Sequence, residues 1–279
     1  MNKLPDIQHE QKSNFPIYLN SVGVQNVKLP FLLDSLYGGV HNLISNVTMT
    51  TDLDKDIKGI SMSMLLRTLI TYLDKPLKHP VIKKILKEFK TAVETNSNHS
   101  QIKFEFELPI VRKAPKSNIT FPQFYKCAFE GRLDNDIFRF FQKVIVQYGS
   151  YCPCSASLCE AQGSGFPHAQ RGFAELLVEV KEDNVIWLES LIDLIENSVT
   201  NKIYPILRRV DEQEVGRIAG ENPQFVEDSI RRIINSLNNQ NEIFDWIIKC
   251  THQESIHSND AIAISWKGVT GGFDGTYYT

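Results

Sequence analysis

The chain has 279 residues, 42% of them hydrophobic and 23% charged, with a formal net charge of −3 at neutral pH. That length suits one large domain or two ordinary ones, and the composition is that of a globular protein. With a charge this small and no long Lys/Arg cluster, nucleic acid is excluded as a partner, and no run of about 18 apolar residues is present to span a membrane. Five cysteines, an odd number, argue against a secreted disulfide framework. The opening Met1–Asp6 lacks the apolar stretch of a signal peptide, so a cytoplasmic protein with reduced thiols is expected.

Residues 1–15 are polar and read as a loosely held arm. Val27–Leu33 and Gly39–Leu53 read as strands. Ser61–Leu73 places Met62, Leu65, Leu66, Leu69, Ile70 and Leu73 at a spacing near 3.6, which predicts a helix. Pro76 and Pro80 punctuate the chain before a second amphipathic helix over Val81–Val93. Ile102–Leu108 alternates strictly and predicts a half-exposed strand. Phe121–Arg132 and Ile137–Tyr148 follow as strand-like runs, joined by a turn at Asp134-Asn135-Asp136. The order then repeats. Gly172–Lys181 reads as a strand, Ile186–Val199 and Val226–Leu237 as helices, and Phe244–Lys249 and Ala261–Trp266 as closing strands. Two halves, roughly 16–135 and 136–279, thus each read strand–strand–helix–helix–strand–strand. Antiparallel strand pairs around paired helices predict an α+β fold with the helices on one sheet face.

The chemistry concentrates after the middle of the chain. Cys152-Pro153-Cys154 is followed by His168, Gln170 and Arg171. A disulfide across one intervening residue closes a strained ring, far from the relaxed Cα separation of about 5.5 Å. A thiolate and an imidazole are instead good ligands for a divalent metal. Asp211-Glu212 forms a second acidic patch, and Glu221–Asp228 opens the last predicted helix. Glu227 falls in that helix's first turn, where the dipole alone favours a carboxylate. Glu254 and His257 form a third pair that converges on one site or makes an ordinary surface ion pair.

These motifs, taken in order, resemble the prokaryotic type IB GTP cyclohydrolases over almost the whole chain. The resemblance is carried by Leu4-Pro5-Asp6-Ile7-Gln8, Val22–Val27, Lys58-Gly59-Ile60 with Met62-Ser63, and Lys113-Ala114-Pro115. It continues through Cys152–Ser155, His168 with Gln170-Arg171, Asp211-Glu212, Glu221–Asp228 and Glu254–His257. It implies tandem tunnelling-fold modules in each subunit, a homotetramer with sites at subunit interfaces, and GTP as substrate. The implied reaction turns GTP and water into 7,8-dihydroneopterin triphosphate and formate. It implies Cys152, His168 and Glu212 as ligands of a divalent metal; zinc, manganese and iron(II) all suit this mixed donor set. It further implies that Cys154 attends to the purine, Glu227 grips the guanine N–H edge, and Glu254 and His257 transfer protons. His257 is an alternative metal contact. Arg171 and Lys113 are cations for the triphosphate.

The chain departs from the pattern in several places. The stretch between Cys154 and His168 is longer than usual and adds Cys159 and Gln162-Gly163-Ser164-Gly165, read here as a flexible loop. Ser61 and Met64 replace a histidine and an arginine around Met62-Ser63, which puts a substrate contact from that helix start in doubt. Ala169 and Gly172 replace polar neighbours of the Gln-Arg pair. Cys127, Cys159 and Cys250 read as structural or incidental. Competing readings are a related purine or pterin enzyme, such as an archaeal-type cyclohydrolase giving a cyclic phosphate or a metal-free reductase, and a zinc-stabilised interaction module.

Overall fold

Strict alternation along His99–Lys113 buries Ser100, Ile102, Phe104, Phe106, Leu108 and Ile110 while their neighbours face outward. This is the mark of a strand with one face on a core. It is β3 of an eight-stranded antiparallel sheet. The others are β1 (Leu19–Asp34), β2 (Val40–Leu53), β4 (Thr120–Asp134), β5 (Ile137–Tyr151), β6 (Ala169–Val180), β7 (Ile243–Gln253) and β8 (Asp260–Trp266). Neighbours in the sheet follow chain order from β1 to β8. The helices are α1 (Ile7–Glu10), α2 (Met62–Ile70), α3 (His79–Ala92), α4 (Pro153–Gln162), α5 (Leu188–Val199), α6 (Arg209–Glu221) and α7 (Val226–Leu237). The computed structural model describes residues 7–92, 97–182 and 184–278. Leu4–Asp6 of the opening motif and Val93 of the second predicted helix lie outside the described residues. No described helix is long and apolar enough to cross a membrane.

Every predicted strand and helix is present, and every strand but β2 runs longer than its apolar run suggested. Three helices, α1, α4 and α6, went unseen in the sequence, α1 being a short turn in the arm over residues 1–15. The stretch after Cys154, expected as a flexible loop, is α4 through most of its length. It starts on Pro153, whose missing N–H costs nothing in a first turn, and stops at Gly163 in the left-handed region (φ 70°). None of its residues is buried, so it shows no apolar stripe to read. In α6 the buried residues are only Asp211 and Ala219, and the same signal is missing.

The chain divides into two compact units, Met1–Glu107 with Ala128–Phe141, and Leu108–Cys127 with Gln142–Thr279. Strands β3, β4 and β5 therefore contribute to both. In the first unit Leu65 and Leu69 of α2, and Ile82, Ile85, Leu86 and Phe89 of α3, are fully buried. Phe31, Phe104, Phe106, Phe129 and Phe140 supply rings to the core beneath them. Each fully buried side chain of this size contributes about 1.5–3 kcal/mol. Gly131 lets α3 approach the sheet: a Cβ there would lie 2.4 Å from Ile82.

Asp52, at the end of β2, is buried and accepts hydrogen bonds from the Tyr18 hydroxyl (2.6 Å), the Ser97 hydroxyl and the backbone N–H groups of Asn98 (3.1 Å) and His99 (2.9 Å). Burial alone would raise its pKa; the four donors outweigh burial and hold it down at about 2. A depressed carboxylate stabilises the fold above its unfolded pKa of about 3.9, and that stability drains away as pH falls through the folded value. Asp52→Ala is therefore expected to cost about 1–3 kcal/mol at pH 7 by stranding these donors. Urea midpoints of the two proteins should converge as the pH is lowered from about 4 towards 2.

The second unit packs Leu191, Ile192 and Ile195 of α5 and Ile230, Ile233 and Leu237 of α7 on their sheet. Within it, Asp245 of β7 accepts N–H donors from Gly268 (3.0 Å) and Phe273 (2.6 Å), fixing the segment after β8.

Candidate active site

The pleat of the second unit collects the site. Residues two apart on a strand share a face. Tyr148 and Ser150 near the end of β5, and Cys152 just beyond it, therefore form one file. Cys152 donates its N–H to the His168 carbonyl (3.2 Å), and the antiparallel run from there sets Ser150 opposite Gln170 and Tyr148 opposite Gly172. On the other side of β6, Gly172 pairs with His252 of β7. One step further along the same register, the Gln170 side chain donates to the Glu254 carboxylate (2.5 Å). Three rows result: Cys152 with His168, Ser150 with Gln170 and Glu254, and Tyr148 with Gly172 and His252.

The upper rows carry the reactive groups. His168 Nδ1 stands 4.0 Å from the Glu254 carboxylate and 3.5 Å from the Ser255 hydroxyl. Cys152 is half-buried at the N-cap of α4, and Cys154 is exposed in the first turn of that helix. The start of α7 is tied to the same strand end. Ser150 donates to the Gln224 carbonyl (2.7 Å), and the Gln224 N–H donates to the Tyr151 carbonyl (3.0 Å). Gln224 is buried and also donates to Val199 and Thr200 at the end of α5. Asp228 then caps α7 by accepting the Phe225 N–H (3.1 Å). Glu227 is thereby held, exposed, in the first turn of α7, close enough for its charge to act on His252.

The remaining predicted residues lie further out. Glu212 is exposed in the first turn of α6. Its neighbour Asp211 is fully buried and accepts four hydrogen bonds. The donors are Lys116 N–H (2.9 Å), Ser117 N–H (2.7 Å), the Ser117 hydroxyl (2.6 Å) and Arg208 N–H (2.9 Å). The loop that follows Lys113 is thus pinned to the start of α6. Lys113 at the end of β3, Arg171 on β6 and His257 beyond β7 are all exposed. Glu254 is half-buried against Gln170, and His257 is exposed in the following loop.

The soft sulfur of Cys152 and the imidazole of His168 are, in their chemistry, fit donors for a divalent metal. Among the described residues, however, no group of three or more His, Cys, Asp and Glu side chains stands together as a metal site. The register sets Cys152 opposite His168, with Glu254 one row away; Glu212 stands in the first turn of α6. Sequence reasoning passed over Tyr148 and His252, whose meaning depends on strand register; Gly172 was seen only as a departure from the family pattern and Asp211 only as part of an acidic patch.

A sequence profile for the type I GTP cyclohydrolase folE2 matches residues 4–263. The chain is 33% identical over 264 residues to the GTP cyclohydrolase FolE2 of Dictyoglomus thermophilum, covering 94% of this chain and 98% of that protein. Against the FolE2 of Dictyoglomus turgidum the identity is 32% over 266 residues, with 95% and 98% covered. Against that of Cereibacter sphaeroides it is 30% over 275 residues, with 96% of this chain and 76% of the relative covered. Among solved structures, uricase from Arthrobacter globiformis superposes with a TM-score of 0.58 at 6% identity, over 94% of this chain and 98% of the other. A highly active mutant of Bacillus sp. TB-90 urate oxidase gives 0.54 at 8% identity, over 90% and 99%. Identities this low speak for the shared fold alone, the tunnelling fold. Because the sequence match runs from residue 4 to residue 263 and takes in every strand but the end of β8, the chain belongs to the type I GTP cyclohydrolase family.

Proposed function

We propose that this protein converts GTP and water to 7,8-dihydroneopterin triphosphate and formate, the first step in making folate-type pterins. We place it in the cytoplasm, as a type IB enzyme with tandem modules at 16–135 and 136–279 that works as a homotetramer. The observation that carries the reading is the row structure of the second unit, which sets Cys152 opposite His168 in the register and the Glu254 carboxylate 4.0 Å from the His168 ring.

Cys152 and His168 would hold the divalent metal, zinc, manganese or iron(II), with Glu212 as the third donor. When bound, such an ion supplies Lewis acidity and makes hydroxide available at neutral pH. The rest is the work of the chain's own groups. Glu227, fixed at the start of α7, accepts the paired N–H donors of the guanine edge, a geometry that the two oxygens of a carboxylate match and an amide does not. Glu254, steadied by the Gln170 amide, takes and returns protons during ring opening, and His257 serves the later proton transfers. Cys154 faces the purine from the first turn of α4. Lys113 and Arg171 offer cations to the triphosphate.

The test is direct. Protein incubated with GTP and each of the three metals should release formate and a pterin that fluoresces after oxidation. Cys152→Ala should lose bound metal, read by elemental analysis, together with turnover. Absence of pterin with every metal would overturn the reading.

A further inference from the structure

Below the Glu254 row lies a polar pair that the proposed chemistry leaves unused. Tyr148 and His252 are each 1% exposed, on β5 and β7, two strands apart. The Tyr148 hydroxyl nonetheless meets His252 Nε2 at 3.0 Å. It spans the intervening strand because β6 carries Gly172 at that point. A Cβ there would lie 2.3 Å from the Tyr148 ring, so the ring fills the place a side chain would take. The Ser229 hydroxyl of α7 and the Cys250 thiol of β7 lie close enough to act on the Tyr148 hydroxyl. Burial pushes the Cys250 thiol up to about 12 and the tyrosine higher still, so both keep their protons. Burial likewise pushes His252 below the ordinary imidazole range, against the pull of the Glu254 and Glu227 charges. A buried neutral imidazole, hydrogen-bonded from below, thus lies within electrostatic reach of both carboxylates that the reaction calls on.

Such an arrangement is costly to maintain as packing alone. An apolar pair would fill the same space without desolvating a hydroxyl and an imidazole. We infer that Tyr148 and His252, clasped across Gly172, are positioning residues for Glu254: their hydrogen bond fixes the end of β7 and thereby the carboxylate two residues on. The inference rests on the assignment of Glu254 as the proton-transfer group. It also gives Gly172, a departure from the family pattern, a physical reason: only glycine admits the ring.

Tyr148→Phe removes the hydroxyl and keeps the ring, so it preserves packing over Gly172. It is expected to lower kcat for GTP about tenfold, the scale of losing a partner that orients a reacting group, with KM changed less than about twofold. His252→Leu should match it, and His252→Gln, which can still reach the hydroxyl, should recover part of the loss. In a Glu254→Gln background, Tyr148→Phe should cost nothing further, because the pair acts through Glu254. Urea midpoints measured alongside identify any variant that has failed to fold, and Tyr148→Phe with His252→Gln gives two conservative routes to the answer. An unchanged kcat in folded Tyr148→Phe, or the same tenfold loss in both backgrounds, overturns the inference alone. Full turnover in Glu254→Gln overturns the assignment of Glu254 and the inference with it.

Discussion

Enzyme carrying Glu254→Gln is expected to turn over GTP about 10²- to 10⁴-fold more slowly, the range lost when a positioned acid–base group is removed. Glutamine has the same shape and can still accept the Gln170 amide, which in the native protein donates to Glu254 at 2.5 Å. Packing at the end of β7 is thereby preserved. What disappears is the negative charge beside His168 and the capacity to take a proton. KM for GTP should stay nearly constant, since the guanine edge is assigned to Glu227 on a different element. Glu227→Gln should show the converse pattern, with KM rising before kcat falls. Steady-state kinetics of the two variants, followed by pterin fluorescence, separates the roles. Equal turnover in Glu254→Gln and native enzyme would remove Glu254 from the mechanism.

Asp211→Asn is expected to lower turnover about ten- to a hundredfold although Asp211 is itself assigned to neither substrate nor metal, as outer partners of a ligand do. The effect comes from four donors converging on one shielded carboxylate. An amide can accept only through its one oxygen and brings two donors of its own into a site already full of them. The loop behind Lys113 should then detach from the start of α6, displacing Lys113 and Glu212 together. Burial by itself would raise the Asp211 pKa. The Ser117 hydroxyl and the Ser117, Arg208 and Lys116 N–H groups outweigh it and hold the carboxyl well below the usual range. The sign for stability follows from that direction. The stabilising term is fully present above the unfolded pKa of about 3.9 and is lost as pH falls through the depressed folded value. The native protein should therefore have a higher urea midpoint than Asp211→Asn at pH 7, with the gap narrowing only in strong acid. A constant gap from pH 7 to pH 2 would mean that Asp211 is not held ionised by these donors.

How far these features were legible in the sequence depends on which interaction creates them. Helix α7 was read with its observed ends because Ile230, Ile233, Ile234 and Leu237 recur at helical spacing and acidic residues mark its first turn. Helix α4 was missed because it buries nothing, although Pro153 and Gly163 stand ten residues apart as start and stop signals. In α6, Asp211 and Glu212 looked like equal members of one acidic patch. The fold gives one to a loop and leaves the other exposed.

The sequence by itself determined the α+β class and the doubled order of strands and helices, and it offered Cys152, His168, Glu227 and Glu254 as candidates. Periodicity records which face of an element is buried, and motif order records family. Only the tertiary structure decided that Tyr148, Gly172 and His252 lie in one row, that Gln170 steadies Glu254, and that Asp211 holds the loop behind Lys113. Those facts depend on register between strands and on contacts between residues up to about a hundred positions apart, set by long-range hydrogen bonds and packing.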